Sequence, residues 1–148
     1  MKNDTILSIN DKTIDEIFNV NVKAVFLMTQ EFVKRSNGYG RVINLSTDSA
    51  QIFAGQIAYG ASKSAVEALS RSIEMEVGKL GITVNTVAQG PTQTGWIDKD
   101  LEKSVLPLIP TGKLIQPQDI ADVILFLASQ QAAQVTGQVI KVSGGHAL

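Results

Sequence analysis

The stretch AYGASKSAVEALSRSIEMEVGKLGITVNTVA, Ala58 to Ala88, changes its period partway along. Apolar side chains first recur at helical spacing, at Ala65, Leu69, Ile73 and Val77, and from Ile82 they form a short β-branched run. Gly81, just after a lysine in the last turn, marks where the helix stops and a strand begins. A helix passing directly into a strand is the alternation from which α/β domains are built.

Both flanks repeat it. Upstream, KTIDEIFNVNVKAVFLMTQEFVKR, Lys12 to Arg35, places Ile14, Ile17, Phe18, Val22, Val25, Phe26, Met28 and Phe32 at steps of three and four, which predicts an amphipathic helix with a broad buried face. SNGYG then breaks the chain, and RVINLS predicts a strand over Arg41 to Leu45 followed by a loop. Downstream, QGPTQTGWIDKDLEKSVLPLIPTGKLIQ is rich in glycine and proline, with room for one short helix, and reads as a long ligand-facing loop. PQDIADVILFLASQQ opens on proline with Asp119 in its first turn, a good helix start, and GQVIKVSGG gives a third strand. The order predicts one α/β domain over residues 1–148 with a parallel sheet and right-handed crossovers. In such sheets ligands bind beyond the carboxyl ends of the strands, here LSTDSAQ and QGPTQTGW.

The totals narrow the function classes. With 44% hydrophobic and 18% charged residues the chain has the composition of a globular domain. A net charge of −1 gives no basic footprint for nucleic acid and no cationic face for a membrane. No cysteine is present, so disulfides and thiolate metal sites are excluded, and no metal site is expected. The first residues carry no apolar core of the kind a signal peptide needs, and the expected location is cytoplasmic.

Within the central helix, Tyr59 and Lys63 stand four residues apart and share a face. Free tyrosine titrates near 10; a cation held by its hydroxyl favours the phenolate and brings it toward useful acid/base range. Tyrosine four before lysine is a common accident, so the setting has to decide. Gly60, Ala61 and Ser62 lie between the two, a strand ends in hydroxyl residues thirteen positions earlier, and a second strand leads into a glycine loop.

With these motifs the chain resembles the short-chain dehydrogenase/reductase family. YGASKSAVEAL matches its tyrosine, three residues, lysine signature, and FNVNVKAVF resembles the helix that carries its active-site asparagine. GITVNTVAQGPTQT resembles the strand and loop that contact nicotinamide, and QPQDIADVILFLAS and VTGQVIKVSGG resemble its last helix and strand. The resemblance covers nearly all of this chain but only the second half to three-fifths of a usual member. It implies the C-terminal portion of a Rossmann-type doubly wound parallel sheet, without the glycine-rich nucleotide-binding turn, the selector that follows it or the asparagine-alanine-glycine segment.

The resemblance implies an NAD- or NADP-dependent oxidoreductase interconverting a carbonyl and a secondary alcohol, nearest in wording to 3-oxoacyl carrier-protein reductases and sugar dehydrogenases. Tyr59 would be the acid/base, Lys63 would lower its pKa and bind the nicotinamide ribose, and Asn21 would hold a water of a proton relay, with Asn19 a bystander. Ser46 would orient the substrate carbonyl, with Thr47 the alternative from strand register and Ser49 a third. Gly90, Thr92 and Thr94 would contact the nicotinamide, although the family's usual proline before the glycine is Gln89 here. Trp96 and Leu101 to Leu108 fall in the family's substrate lid. His146, the only histidine, is expected in a tail or subunit contact. The helices around Asp15–Arg35 and Tyr59–Leu80 resemble the family's dimer surface, so a homo-oligomer, dimer or tetramer, is expected. Two rival readings are a truncated, inactive remnant that associates with itself or an intact relative, and a piece cut from a longer protein.

Overall fold

The computed structural model describes residues Asp4–Ala147. Its elements are α1 (Asp11–Phe18), α2 (Ala24–Arg35), β1 (Gly40–Thr47), α3 (Ile57–Val77), β2 (Ile82–Gln89), α4 (Lys99–Val105), α5 (Pro117–Ala128) and β3 (Val139–Val142). The three strands form a parallel sheet in the order β1-β2-β3. Every residue of β2 from Ile82 to Ala88 is buried, the polar Thr83, Asn85 and Thr86 included, as befits a strand covered on both faces.

Two apolar clusters flank this sheet. On one face Val77, Ile82 and Val84 pack with Val33, Val42 and Ile73 from α2, β1 and α3. On the other, Val87 meets Ile120 and Leu127 of α5 together with Ile97, Ile109, Leu114 and Ile115. The last four belong to the long segment after β2, so that segment contributes core as well as a ligand-facing rim.

Local chemistry sets the boundaries. Gly81 closes α3 in the left-handed region at φ 73°, where a Cβ would collide with the Gly38 carbonyl. The α5 start is a reciprocal capping box between Gln116 and Asp119. The α3 start is capped from far away in sequence, since a buried Asp4 Oδ2 accepts the Ala58 N–H at 3.0 Å.

Three sequence expectations are corrected. The predicted helix over Lys12–Arg35 is interrupted by a wide π-turn at Asn19–Lys23, where the Ala24 N–H reaches back to the Asn19 carbonyl. Its apolar face is also largely open: Phe26 and Met28 are exposed, and Thr29 is the one buried residue of α2. Finally, β1 extends to Thr47, because pairing to β2 continues through Ser46↔Ala88 and Thr47↔Gln89. Ser46 and Thr47 are therefore buried strand residues rather than loop residues.

The backbone of β1 alternates in a way that matters for the site. The N–H groups of Gly40 and Asp48 donate to Gly81 and Gln89, so even-numbered residues turn their peptide groups toward β2. Odd-numbered residues turn theirs to the outer edge, where no strand pairs with β1 among the described residues.

Candidate active site

Helix α3 crosses β1 so that its first turns lie over the strand's carboxyl end. There the Lys63 ammonium donates to the Leu45 carbonyl at 3.0 Å, one of the outward-facing carbonyls of β1. Its Nζ lies 5.7 Å from the centre of the Tyr59 ring, which in turn packs edge-on against Phe53. Burial pushes the Tyr59 phenol above its ordinary value of 10.0 and lowers Lys63 below its ordinary 10.5. In this arrangement the Lys63 ammonium is engaged by a backbone carbonyl, and burial is what acts on the phenol.

Asn21 sits in the π-turn between α1 and α2, where the widened helix presents it to α3. Its Nδ2 donates to Ser62 Oγ at 2.9 Å, and Ser62 Oγ donates to the Tyr59 carbonyl at 2.7 Å. Ser62 is fully buried and couples the asparagine to the backbone of the tyrosine turn. Asn19, two positions earlier, is exposed. In sequence Ser62 is just a small residue of the signature; its signal is its place three residues after Tyr59, one turn along the same face.

The two candidate hydroxyls of β1 point to opposite faces. Ser46 Oγ donates to Glu67 Oε1 at 2.7 Å and lies 3.5 Å from the Lys63 carbonyl, beneath α3. Thr47 has only a 3.5 Å approach to Asp48 Oδ1. Ser49 Oγ donates to that same carboxyl oxygen at 3.0 Å. Glu67, one turn past Lys63, escaped the sequence reading; a carboxyl on an otherwise small and apolar helix face was its signal.

Beyond β2 the chain makes one parallel bridge, Thr92↔Ile115. The flanking Gln93 N–H and Pro91 carbonyl bond Ile115, and the Thr92 hydroxyl caps the Gly90 carbonyl at 2.8 Å. The Thr92 N–H and carbonyl have no partner among the described residues. Gly90 fits where nothing larger would: a Cβ would come 2.7 Å from Ser143 Cα. An unpartnered amide and carbonyl on one residue suit a carboxamide, and the Lys63 ammonium suits a sugar hydroxyl, so these residues fit the nicotinamide end of a dinucleotide. Thr94 and Trp96 are exposed.

His146, in the C-terminal turn, makes a contact within the chain that the sequence did not announce: its Nδ1 lies 2.8 Å from Asp48 Oδ2. Among the described residues no group of three or more His, Cys, Asp or Glu is placed to hold a metal, and no helix is long and apolar enough to cross a membrane.

A three-stranded parallel sheet with tyrosine and lysine of one helix at its carboxyl end is the arrangement of one group of α/β oxidoreductases. The family described as enoyl-(acyl carrier protein) reductase matches residues 1–147, and the chain belongs to the short-chain dehydrogenase/reductase family. It is 39% identical over 147 residues to the uncharacterized oxidoreductase YjdA of Bacillus subtilis, covering 96% of this chain and 59% of that protein. It is also 39% identical to the 3-oxoacyl-(acyl-carrier-protein) reductase FabG of Rickettsia conorii, covering 94% of this chain and 60% of the relative. Among solved structures it superimposes on a 3-ketoacyl-(acyl-carrier-protein) reductase from Brucella melitensis complexed with NADH, at TM-score 0.92 and 26% identity, covering 99% of this chain and 63% of that one. The chain thus spans about three-fifths of the length of the relatives it matches.

Proposed function

We propose that this chain carries the proton-handling part of an NAD(P)-dependent oxidoreductase that interconverts a carbonyl and a secondary alcohol, with 3-oxoacyl thioesters the first substrates to test. The observation that carries this reading is the set Asn21, Ser62, Tyr59 and Lys63, linked through hydrogen bonds along the first turns of α3 to the carboxyl end of β1. The bound nicotinamide supplies or accepts the hydride. Tyr59 holds the proton that the substrate oxygen gains in reduction and takes it back in oxidation. Lys63 leaves the Leu45 carbonyl to meet a ribose hydroxyl, and that movement brings its charge to the phenol. Asn21, fixed by Ser62, keeps its carbonyl oxygen available for a water of the proton path.

Of the two hydroxyls, access favours Thr47 over Ser46 for orienting the substrate. The Ser46 proton is committed to Glu67, and replacing that short bond would strand a buried carboxyl group. Gly90, Thr92 and Thr94 form the nicotinamide side. The exposed apolar faces of α2 and α3 border an apolar groove of about 700 Å³ lined by Val22, Phe26, Ala68, Leu69 and Ile73, which supports self-association there. A cytoplasmic location fits the reading.

A second reading has a specific observation behind it. With the outer edge of β1 unpaired, Lys63 parked on Leu45 and the phenol pushed up, the chain alone is in a resting arrangement, and it associates without turning over. Titration with NADH and NADPH by fluorescence or calorimetry separates the two: binding of either at or below millimolar concentration supports the enzyme, and absence of both removes it as an independent catalyst. Where binding is found, Tyr59→Phe is expected to abolish turnover and leave cofactor affinity intact; retained turnover would show another proton donor.

A further inference from the structure

We propose that His146 is a positioning residue of this site, fastening the C-terminal turn to the end of β1 through Asp48 and so fixing both Thr47 and Gly90. Its functional meaning rests on the oxidoreductase reading above; its geometry does not.

Asp48 is the first residue past β1, and its side chain is only 3% exposed. A carboxyl group stripped of water needs protein donors in exchange, and it costs free energy when they are missing. Asp48 finds them on both oxygens. Oδ2 meets His146 Nδ1 at 2.8 Å, and Oδ1 accepts the Ser49 hydroxyl at 3.0 Å with Thr47 Oγ1 at 3.5 Å. Its own N–H donates to the Gln89 carbonyl at 3.0 Å. The next residue of that second strand end, Gly90, donates its N–H to Val142 of β3 at 3.0 Å, and a Cβ on it would lie 3.0 Å from Asp48 Oδ2.

One carboxyl group therefore sits where the ends of all three strands converge, and the imidazole is its contact to the third. The turn that carries the imidazole is itself closed, by the His146 N–H on the Ser143 carbonyl at 3.1 Å and by Lys141 Nζ on the Ala147 carbonyl at 2.7 Å. The other charged neighbours are Glu67 and Lys141, which line with Asp48 and Ala147 a cavity of about 200 Å³; neither bonds the imidazole. No hydrogen bond links His146 to Tyr59 or Lys63 among the described residues, so it acts through Asp48. Without it, Asp48 would turn to find another donor. Thr47, whose rotamer is tied to Asp48 only by a long contact, and Gly90, packed against Oδ2, would shift with it.

The geometry of imidazole gives a discriminating pair of variants. Asparagine places an N–H where Nδ1 stands, whereas glutamine places one where Nε2 stands. Amide exchange of the full chain, followed residue by residue with no ligand present, is the primary measurement. His146→Ala and His146→Gln are expected to speed exchange of the Asp48 and Gly90 amides about tenfold, with His146→Asn within about twofold of the native chain. Equal exchange in all four proteins, or His146→Asn as fast as His146→Ala, would overturn the proposal. So would acceleration spread evenly through α3 and β2, which would mark general loosening. If His146→Ala fails to fold, the comparison of Asn with Gln decides. NADH titration of the same proteins adds the functional arm: affinity about tenfold weaker for Ala and Gln and restored by Asn supports the role, and equal affinity in all four rejects it. A native chain that binds no NADH counts against the oxidoreductase reading alone, and the exchange result still decides the latch.

Discussion

The neighbouring strands β1 and β2 have the same length and run in register, yet they live in different environments. β2 pairs with β1 along its length and with β3 over Thr86–Gln89, and it is buried through seven consecutive residues, Ile82 to Ala88, whereas among the described residues β1 is paired on one side and exposes Leu45 by 44%. The residues proposed to handle the proton lie on α3, above β1, and on the π-turn beside it. Burial is centred on the middle strand, and the proposed site lies by the strand whose outer edge pairs with no strand among the described residues, where Lys63 itself satisfies one outward carbonyl. The proposed site and the most deeply buried strand thus fall on neighbouring strands, which makes the difference measurable.

The largest expected effect tests that asymmetry directly. Ile82→Ala on β2 removes a fully buried side chain between Val77 and Val84 and should cost about 3 kcal/mol in urea unfolding. Leu45→Ala on β1 should cost about 0.5 kcal/mol, as for an exposed site with no special role. Equal costs would mean that something covers the outer edge of β1 in solution.

A second experiment sharpens the comparison within β1. Ser46→Ala leaves the buried Glu67 carboxyl without its short donor and should cost about 2 kcal/mol of stability. Thr47→Ala breaks only a 3.5 Å contact and should cost about 0.5 kcal/mol, while impairing carbonyl reduction if the enzyme reading holds. The opposite pattern, a silent Ser46→Ala in stability with lost turnover, would return the substrate role to Ser46.

How much of this could be read beforehand follows the same divide. The helix-to-strand switch at Gly81 and the continuous run from Ile82 were legible because burial on both faces imposes a strong pattern on sequence. Tyr59 and Lys63 were legible as sharing a helix face because four-residue spacing is a local rule, and the surrounding motifs were what set the pair apart from chance. Asp4 on Ala58, Ser46 on Glu67 and His146 on Asp48 were not, since each joins residues 21 to 98 positions apart and no local period announces them. The π-turn at Asn19–Lys23 was hidden for a different reason: one extra residue in a turn barely disturbs an apolar spacing of three and four. The exposed side of α2 shows that apolar periodicity marks a face to be covered without saying which partner covers it.

Asp4→Ala probes the link between the start of the described chain and α3. Losing the cap on the Ala58 N–H should cost about 1 kcal/mol. Fraying should be confined to the first turn of α3, seen as faster exchange near Ala58 with β2 unaffected. Loss of protection in β2 as well would show that the two strands are less independent than their burial suggests.

The smallest effect concerns alkaline pH, because two opposed contributions from the β1 side partly cancel. Tyr59 has a folded-state pKa above 10.0, so the folded chain holds this proton more tightly than the unfolded chain does. The stability this contributes is fully present below pH 10 and is lost as pH rises through the folded value. Lys63 has a folded-state pKa below 10.5, so the folded chain holds its proton less tightly, and its contribution grows as pH rises from the folded value toward and past 10.5. Near pH 10 the native chain should therefore show a shallow dependence of unfolding free energy on pH. Tyr59→Phe leaves the lysine contribution alone, and stability should then rise with pH across pH 9 to 11. Lys63→Met leaves the tyrosine contribution alone, and stability should fall over the same range. Urea unfolding at half-unit steps reads the three slopes. If both variants keep the native slope, the two groups titrate as they would in water, and the burial that distinguishes this corner of β1 is absent in solution.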